Sequence, residues 1–187
     1  MASSYSTDLK LELMVTGENA GTWGDKTNTN LNLVQQAIAG FQAVTVNGTG
    51  TTTLAMTDAT VSNARNAVIQ FTGTITANID VTIPDGIEKT YTIINNTTGA
   101  FTVEFKTVSG TGTTFSTTDK GAKIIYSDGT NIVDITANLS DLSTGAITSG
   151  AVTASGNIVP GANDTYDLGA SGNVWRNIYT GDLHLNN

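Results

Sequence analysis

From Ile75 to Ile83 every second residue is apolar: Ile75, Ala77, Ile79, Val81 and Ile83 alternate with Thr76, Asn78, Asp80 and Thr82. A period of two belongs to a strand with one face in a core and the other in water. Phe101, Val103 and Phe105 repeat the pattern, with Thr102, Glu104 and Lys106 facing the other way. These two runs anchor a β domain over residues 41–137. Candidate strands lie at 43–46, 52–56, 67–72, 75–83, 91–95, 101–107, 122–127 and 131–136. Pro84-Asp85-Gly86, Asn95-Asn96-Thr97-Thr98-Gly99 and Asp128-Gly129 supply the turns between them. Asp128-Gly129 predicts a hairpin, because both residues tolerate the positive φ of a type I′ turn. Short strands at regular spacing imply a small antiparallel sandwich or barrel.

Composition limits what surrounds that domain. The chain has 187 residues, 39% of them hydrophobic and only 6% aromatic, which is lean for one large core. A smaller domain with extended appendages fits better. Thr, which is β-branched, replaces much of the usual Leu, Lys and Glu and favours strands. With 16 acidic against 8 basic residues, the net charge is −8. The only arginines are Arg65 and Arg176 and no basic run occurs, so neither nucleic acid nor an anionic membrane surface is an expected partner. No apolar run approaches the ~20 residues that span a bilayer. Only Lys10 is basic near the start, and no continuous apolar stretch follows it, so no secretory signal is read there.

Residues 1–40 form a second region. Leu9, Leu11, Leu13 and Val15 alternate with Lys10, Glu12 and Met14, the pattern of a strand with one buried face. Thr22-Trp23-Gly24-Asp25 then has the spacing of a helix N-cap with an acidic residue at N3. Trp23, Thr27, Leu31, Val34 and Ile38 step by helical spacings along one face, widened by Leu33 and Ala37. Asn28, Asn30, Asn32, Gln35 and Gln36 occupy the other face, and Gly40 stands where a C-cap belongs. A helix of ~15 residues is marginal alone and depends on packing that stripe. It either covers the chain's own small domain or forms a subunit interface. Leu9, Leu11, Leu13, Trp23, Thr27, Leu31, Val34 and Ile38 are the candidate attachment or oligomer-interface residues.

Beyond residue 137 the composition changes. Over 138–165 the residues are small and polar, with Leu139, Leu142, Ile147, Val152, Ile158 and Val159 too far apart to build a core from one chain. This is a flexible linker, or a shaft in which identical strands wind together and each supplies a sparse apolar row. Residues 166–187 are denser in Tyr166, Leu168, Val174, Trp175, Ile178 and Tyr179, but too short to fold unaided.

Little of this suggests catalysis. There is no cysteine and His184 is the single histidine, so neither a two-histidine zinc site nor a Cys-His pair can be assembled. Asp80, Asp85, Glu88, Asp119, Asp128 and Asp134 fall mostly at predicted turns, where Asp serves the backbone. Gly110-Thr111-Gly112 lacks a following lysine or helix and reads as a turn. No catalytic residue, cofactor or metal site is expected. Asn-x-Thr and Asn-x-Ser matches, such as Asn47-Gly48-Thr49, are chance occurrences in a chain rich in Asn and Thr.

Gly17-Glu18-Asn19-Ala20-Gly21-Thr22-Trp23-Gly24-Asp25, with Asn28-x-Asn30 and Ala37-Ile38-Ala39-Gly40, resembles the N-terminal virion-attachment region of tailed-bacteriophage fibre proteins, those of marine and cyanobacterial phages above all. Ala64-Arg65-Asn66-Ala67-Val68-Ile69-Gln70-Phe71-Thr72-Gly73, Thr98-Gly99-Ala100-Phe101-Thr102-Val103 and Tyr126-Ser127-Asp128-Gly129-Thr130-Asn131 are similar to the β module that follows in such fibres. Asp167-Leu168-Gly169 and Trp175-Arg176-Asn177-Ile178-Tyr179-Thr180-Gly181-Asp182-Leu183 look like the repeat that precedes a distal tip. The resemblance implies a homotrimeric, non-enzymatic virion protein, made in the host cytoplasm and docked through residues 1–40 on tail, neck or capsid. It further implies a host receptor bound by a distal tip, which nothing after Leu185 resembles. On this reading the regions are an attachment segment (1–40), a β domain (41–137), a shaft or linker (138–165) and a pre-tip segment (166–187). A carbohydrate-binding or adhesive β module is the alternative, with Tyr91, Phe101, Phe105 and Tyr126 as candidate stacking rings.

Overall fold

The computed structural model describes residues 2–118, 120–136, 153–154, 156–162 and 165–182. The chain divides into two compact units, Met1–Asp141 and Leu142–Asn187. In order, the first holds β1 (Ser4–Tyr5), β2 (Glu12–Leu13), α1 (Trp23–Ala39), β3 (Phe41–Thr45), β4 (Gly48–Thr53), a 3-10 turn (Asn63–Arg65), β5 (Val68–Ile83), β6 (Glu88–Thr98), β7 (Val103–Thr107), β8 (Gly112–Phe115), β9 (Ala122–Asp128) and β10 (Ile132–Asp134).

β5 is the axis of this unit. The strands expected at 67–72 and 75–83 are one continuous strand, because Ile69, Phe71, Ile75, Ile79, Val81 and Ile83 keep the same period of two and all point inward. Gly73 has φ +105° and bends the strand between its halves. A side chain there would also collide with Asn47 Oδ1, which accepts the Thr74 N–H at 3.1 Å. Beside the first half of β5 lie β3 and β6, and beside the second half lie β4 and β7, all four parallel to it. Three bent passages of chain are thus stacked side by side, and their two halves face one another. Phe71 from the first half meets Phe105 from beside the second with ring centroids 5.8 Å apart, and Tyr91 meets Phe105 edge-on at 5.8 Å. These rings, with Leu54, Val46, Val103 and Phe115, form a continuous apolar core.

The fold is therefore mainly β with a single helix among the described residues, but the antiparallel sandwich expected from turn spacing is only partly realised. Antiparallel pairing is confined to β1–β2, β6–β9–β10 and β7–β8 in the first unit. The centre is parallel because Pro84-Asp85-Gly86 carries the chain from the end of one sheet half back to the start of the other, rather than reversing it within a sheet. β8 escapes a reading of periodicity because its inward residues are Thr113 and Phe115, only one of them apolar. The β9–β10 connection also departs from expectation. Gly129 has φ +86°, but Asp128 does not share the positive φ of a type I′ turn. The Asp128 carboxylate instead accepts the backbone N–H groups of Thr130 (2.8 Å) and Asn131 (2.6 Å).

In the second unit, Gly169 (φ +98°) opens a tight turn closed by reciprocal hydrogen bonds between Ala170 and Asn173, at 3.1 and 2.9 Å. Every described residue from 153 to 182 is exposed. Most of the expected shaft, including Leu139, Leu142, Ile147 and Val152, lies outside the described residues, as does His184.

Candidate functional site

The attachment segment is held to the β domain by polar groups that the apolar pattern does not reveal. The strand expected at Leu9–Val15 shrinks to Glu12–Leu13, which pairs with Ser4–Tyr5. Its facing is the reverse of the one expected: Glu12 is 6% exposed and Leu13 is 51% exposed, while Leu9 and Leu11 are half-buried. Lys10 has φ +54°, which breaks the alternation before it reaches Glu12. Glu12 then takes an ion pair from Lys26 at 3.0 Å and a hydrogen bond from Ser3 Oγ at 2.8 Å. Its backbone is clasped by Asn30, whose Oδ1 accepts the Glu12 N–H at 3.0 Å and whose Nδ2 donates to the Glu12 carbonyl at 2.8 Å. The hydrogen bond from Lys26 is the main cause that holds the Glu12 carboxyl below its ordinary value, and the same bond raises Lys26.

Arg65 is the second fastening. Fully buried, it donates through Nε to the Leu9 carbonyl at 2.9 Å and through Nη2 to the Thr57 carbonyl at 2.7 Å. Its Nη1 donates to Gln36 Oε1 at 3.3 Å and to the Thr60 carbonyl. Desolvation lowers its pKa, with Asp58 opposing. A buried guanidinium is tolerated where its donors are satisfied, and this one ties the N-terminal segment, α1 and the loop before β5 to a single side chain.

Those fastenings turn one flank of α1 inward and leave the other outside. Leu33 is 1% exposed and Ala37, Asn30 and Lys26 lie beside it, partly covered. Trp23, Leu31 and Ile38 are 65%, 61% and 74% exposed, and Thr27 and Val34 are half-buried between them. The candidate residues of the helix thus form one ridge, whereas Leu9, Leu11 and Leu13 do not share a buried face. The helix caps fall at the expected residues, Thr22 and Gly40. Thr22 makes no side-chain cap, however; its Oγ1 donates to the Asn19 carbonyl at 3.3 Å. Gly40 is extended (φ −73°, ψ 140°) and donates its N–H to the Gln36 carbonyl at 2.9 Å.

Elsewhere the titratable groups serve the fold. Lys89 Nζ donates to the carbonyls of Asn66 and Thr90, each at 3.1 Å, and sits 4.1 Å above the Tyr91 ring. Burial lowers its pKa to about 8 and raises that of the Tyr91 phenol. Asp85 occupies a turn, as read from sequence, whereas Asp80, Glu88, Asp128 and Asp134 lie in strands, Asp128 as the last residue of β9. No group of three or more potential metal ligands occurs among the described residues, and none of their helices is long and apolar enough to cross a membrane. Tyr91 and Phe105 are wholly buried, so these two rings offer no face to a ligand.

Glu12, Asn30 and Arg65 carry the clasp, and hydrophobic periodicity could not select any of them. Comparison with known proteins returns no match to a family model, to a curated protein or to a solved structure.

Proposed function

We propose that the chain is a structural protein of a tailed-bacteriophage virion: a homotrimeric fibre component, attached to tail, neck or capsid through residues 1–40. The observation that carries this reading is the exposure of large apolar side chains among the described residues of the second unit. Ile158, Tyr166, Leu168, Trp175, Ile178 and Tyr179 are between 61% and 91% exposed. Each such side chain gains ~1.5–3 kcal/mol on full burial, and further copies of the same segment supply the missing surface. The helix ridge supports the same assembly. Thr27, Leu31, Val34 and Ile38 are separated by four, three and four residues, the a/d spacing of a helical seam. The clasp through Glu12 and Arg65 braces that ridge against the β domain, so load on the attachment segment is passed to a rigid body. The reading assigns no catalytic role, and it places host receptor binding on a distal part of the fibre.

Sedimentation equilibrium on the full chain tests it. A trimer at micromolar concentration is the expected mass, and a strict monomer overturns the assembly. Trp23→Ala is expected to reduce incorporation into the virion while leaving the β-domain circular dichroism unchanged. Normal incorporation of that variant removes residues 1–40 from the attachment role.

A further inference from the structure

Where α1 runs into β3, the surface folds into a groove of ≈ 260 Å³ lined by Asn32, Gln35, Gln36, Gly40, Phe41 and Asn66. We infer that this groove is a binding site for a neutral polyhydroxylated ring, of the size of one pyranose unit.

The first ground is that its hydrogen-bonding groups are fixed and incompletely used. Asn66 is 3% exposed and directs Nδ2 to the carbonyls of Ser62 (3.3 Å) and Asn63 (3.1 Å). That orientation leaves Oδ1 as an acceptor in the groove, where no described residue donates to it. Gln36 Oε1 accepts from Arg65 Nη1 (3.3 Å) and Ser62 N (3.4 Å), so its Nε2 remains as a donor. A set acceptor close to a set donor is met by hydroxyl groups, each of which can donate and accept. The exposed amides of Asn32 and Gln35 add adaptable partners.

The second ground is that the groove's floor is closely packed at Gly40, which fixes the Asn66 amide in place. Gly40 has ordinary extended torsions that any residue adopts. A Cβ at that position would nonetheless collide with the Gln36 carbonyl and come within 2.5 Å of Asn66 Oδ1. Any side chain there would therefore displace the helix end or Asn66, and with it the acceptor.

The third is the wall. Phe41 is 58% exposed and begins β3 at the groove's edge. An aromatic face beside amide groups, without a charge in the lining, suits a ring with an apolar C–H face and a polar rim. An anionic or cationic ligand would find no partner here.

The test is a titration of the full chain with methyl glucopyranoside, methyl galactopyranoside and methyl mannopyranoside. Saturation-transfer NMR would report ligand contact, and the side-chain amide signals of Asn32, Gln35, Gln36 and Asn66 would report the place. A saturable millimolar Kd with shifts confined to those amides is expected for at least one sugar. Phe41→Ala and Gln35→Ala, both at exposed positions, should each weaken it about tenfold, equivalent to ~1.4 kcal/mol, with unchanged circular dichroism. Phe41→Trp should retain it. No saturation by any of the three up to about 50 mM, or equal affinity in Phe41→Ala, overturns the proposal. Shifts produced by acetamide and by none of the sugars overturn it too, and identify the groove as a peptide-amide site.

Discussion

At the scale of the residue, single polar side chains do work that the apolar pattern had assigned to leucines. Glu12 is the clearest case. Its carboxyl faces Lys26 and Ser3, and Ser3 Oγ also donates to Glu18 at 3.0 Å. A carboxyl whose folded pKa lies below its ordinary value of 4.5 contributes stability that is present above that value. The contribution is lost as the pH falls through the lower folded value. The protection factors of the amides from Ser3 to Leu13, taken against the unfolded chain at the same pH, should therefore fall on acidification below 4.5. Glu12→Gln should exchange fast already at neutral pH and respond less to acid. An acid-insensitive wild type would remove Glu12 from the clasp. Lys10, with its positive φ, explains why the sequence pointed the wrong way here: alternation assumes extended backbone, and one left-handed residue shifts the facing of everything after it.

At the scale of the element, α1 and β5 were legible in different degrees. The helix, its length and its stripe follow from spacing alone. Which flank of the stripe meets the chain's own core does not, because a helical period defines a face without naming its partner. The structure separates the two flanks, and mutation should separate them again. Leu33→Ala is expected to lower unfolding free energy by ~2–5 kcal/mol, as for other buried leucines. Ile38→Ala should leave the circular dichroism intact and act on association. Denaturation and sedimentation on the same two variants check both statements, and equal behaviour would refute the assignment of flanks. In β5 the alternation from Ile69 to Ile83 was legible, and its interruption at Gly73 was read as a gap between two strands when it is a bend within one. Gly73→Ala puts a side chain at φ +105° against Asn47. A loss of ~2 kcal/mol or more in urea unfolding is expected from that strain and contact. A neutral substitution would show that the bend does not need glycine.

At the scale of the whole molecule, a well-filled β unit is joined in sequence to a segment whose described residues are all exposed. The contrast supports association of copies over self-burial. It makes the expected trimer an apolar assembly, so its sedimentation mass should persist in 1 M salt, where the Debye length falls to about 3 Å. A mass that collapses in salt would point to ion pairs instead.

The sequence by itself determined the β class, the core-facing residues of β5 and β7, the helix between residues 22 and 40, and a residue inventory without cysteine. Each of these rests on local periodicity or on residue inventory, which need no knowledge of what lies across space. Only the tertiary structure decided that the central strands run parallel, that Arg65 and Glu12 fasten the N-terminal segment, and that Gly40 packs against Asn66 beside a groove. Those features depend on groups distant in the chain meeting at hydrogen-bond range, as Arg65 meets Leu9, and no periodicity encodes such a meeting.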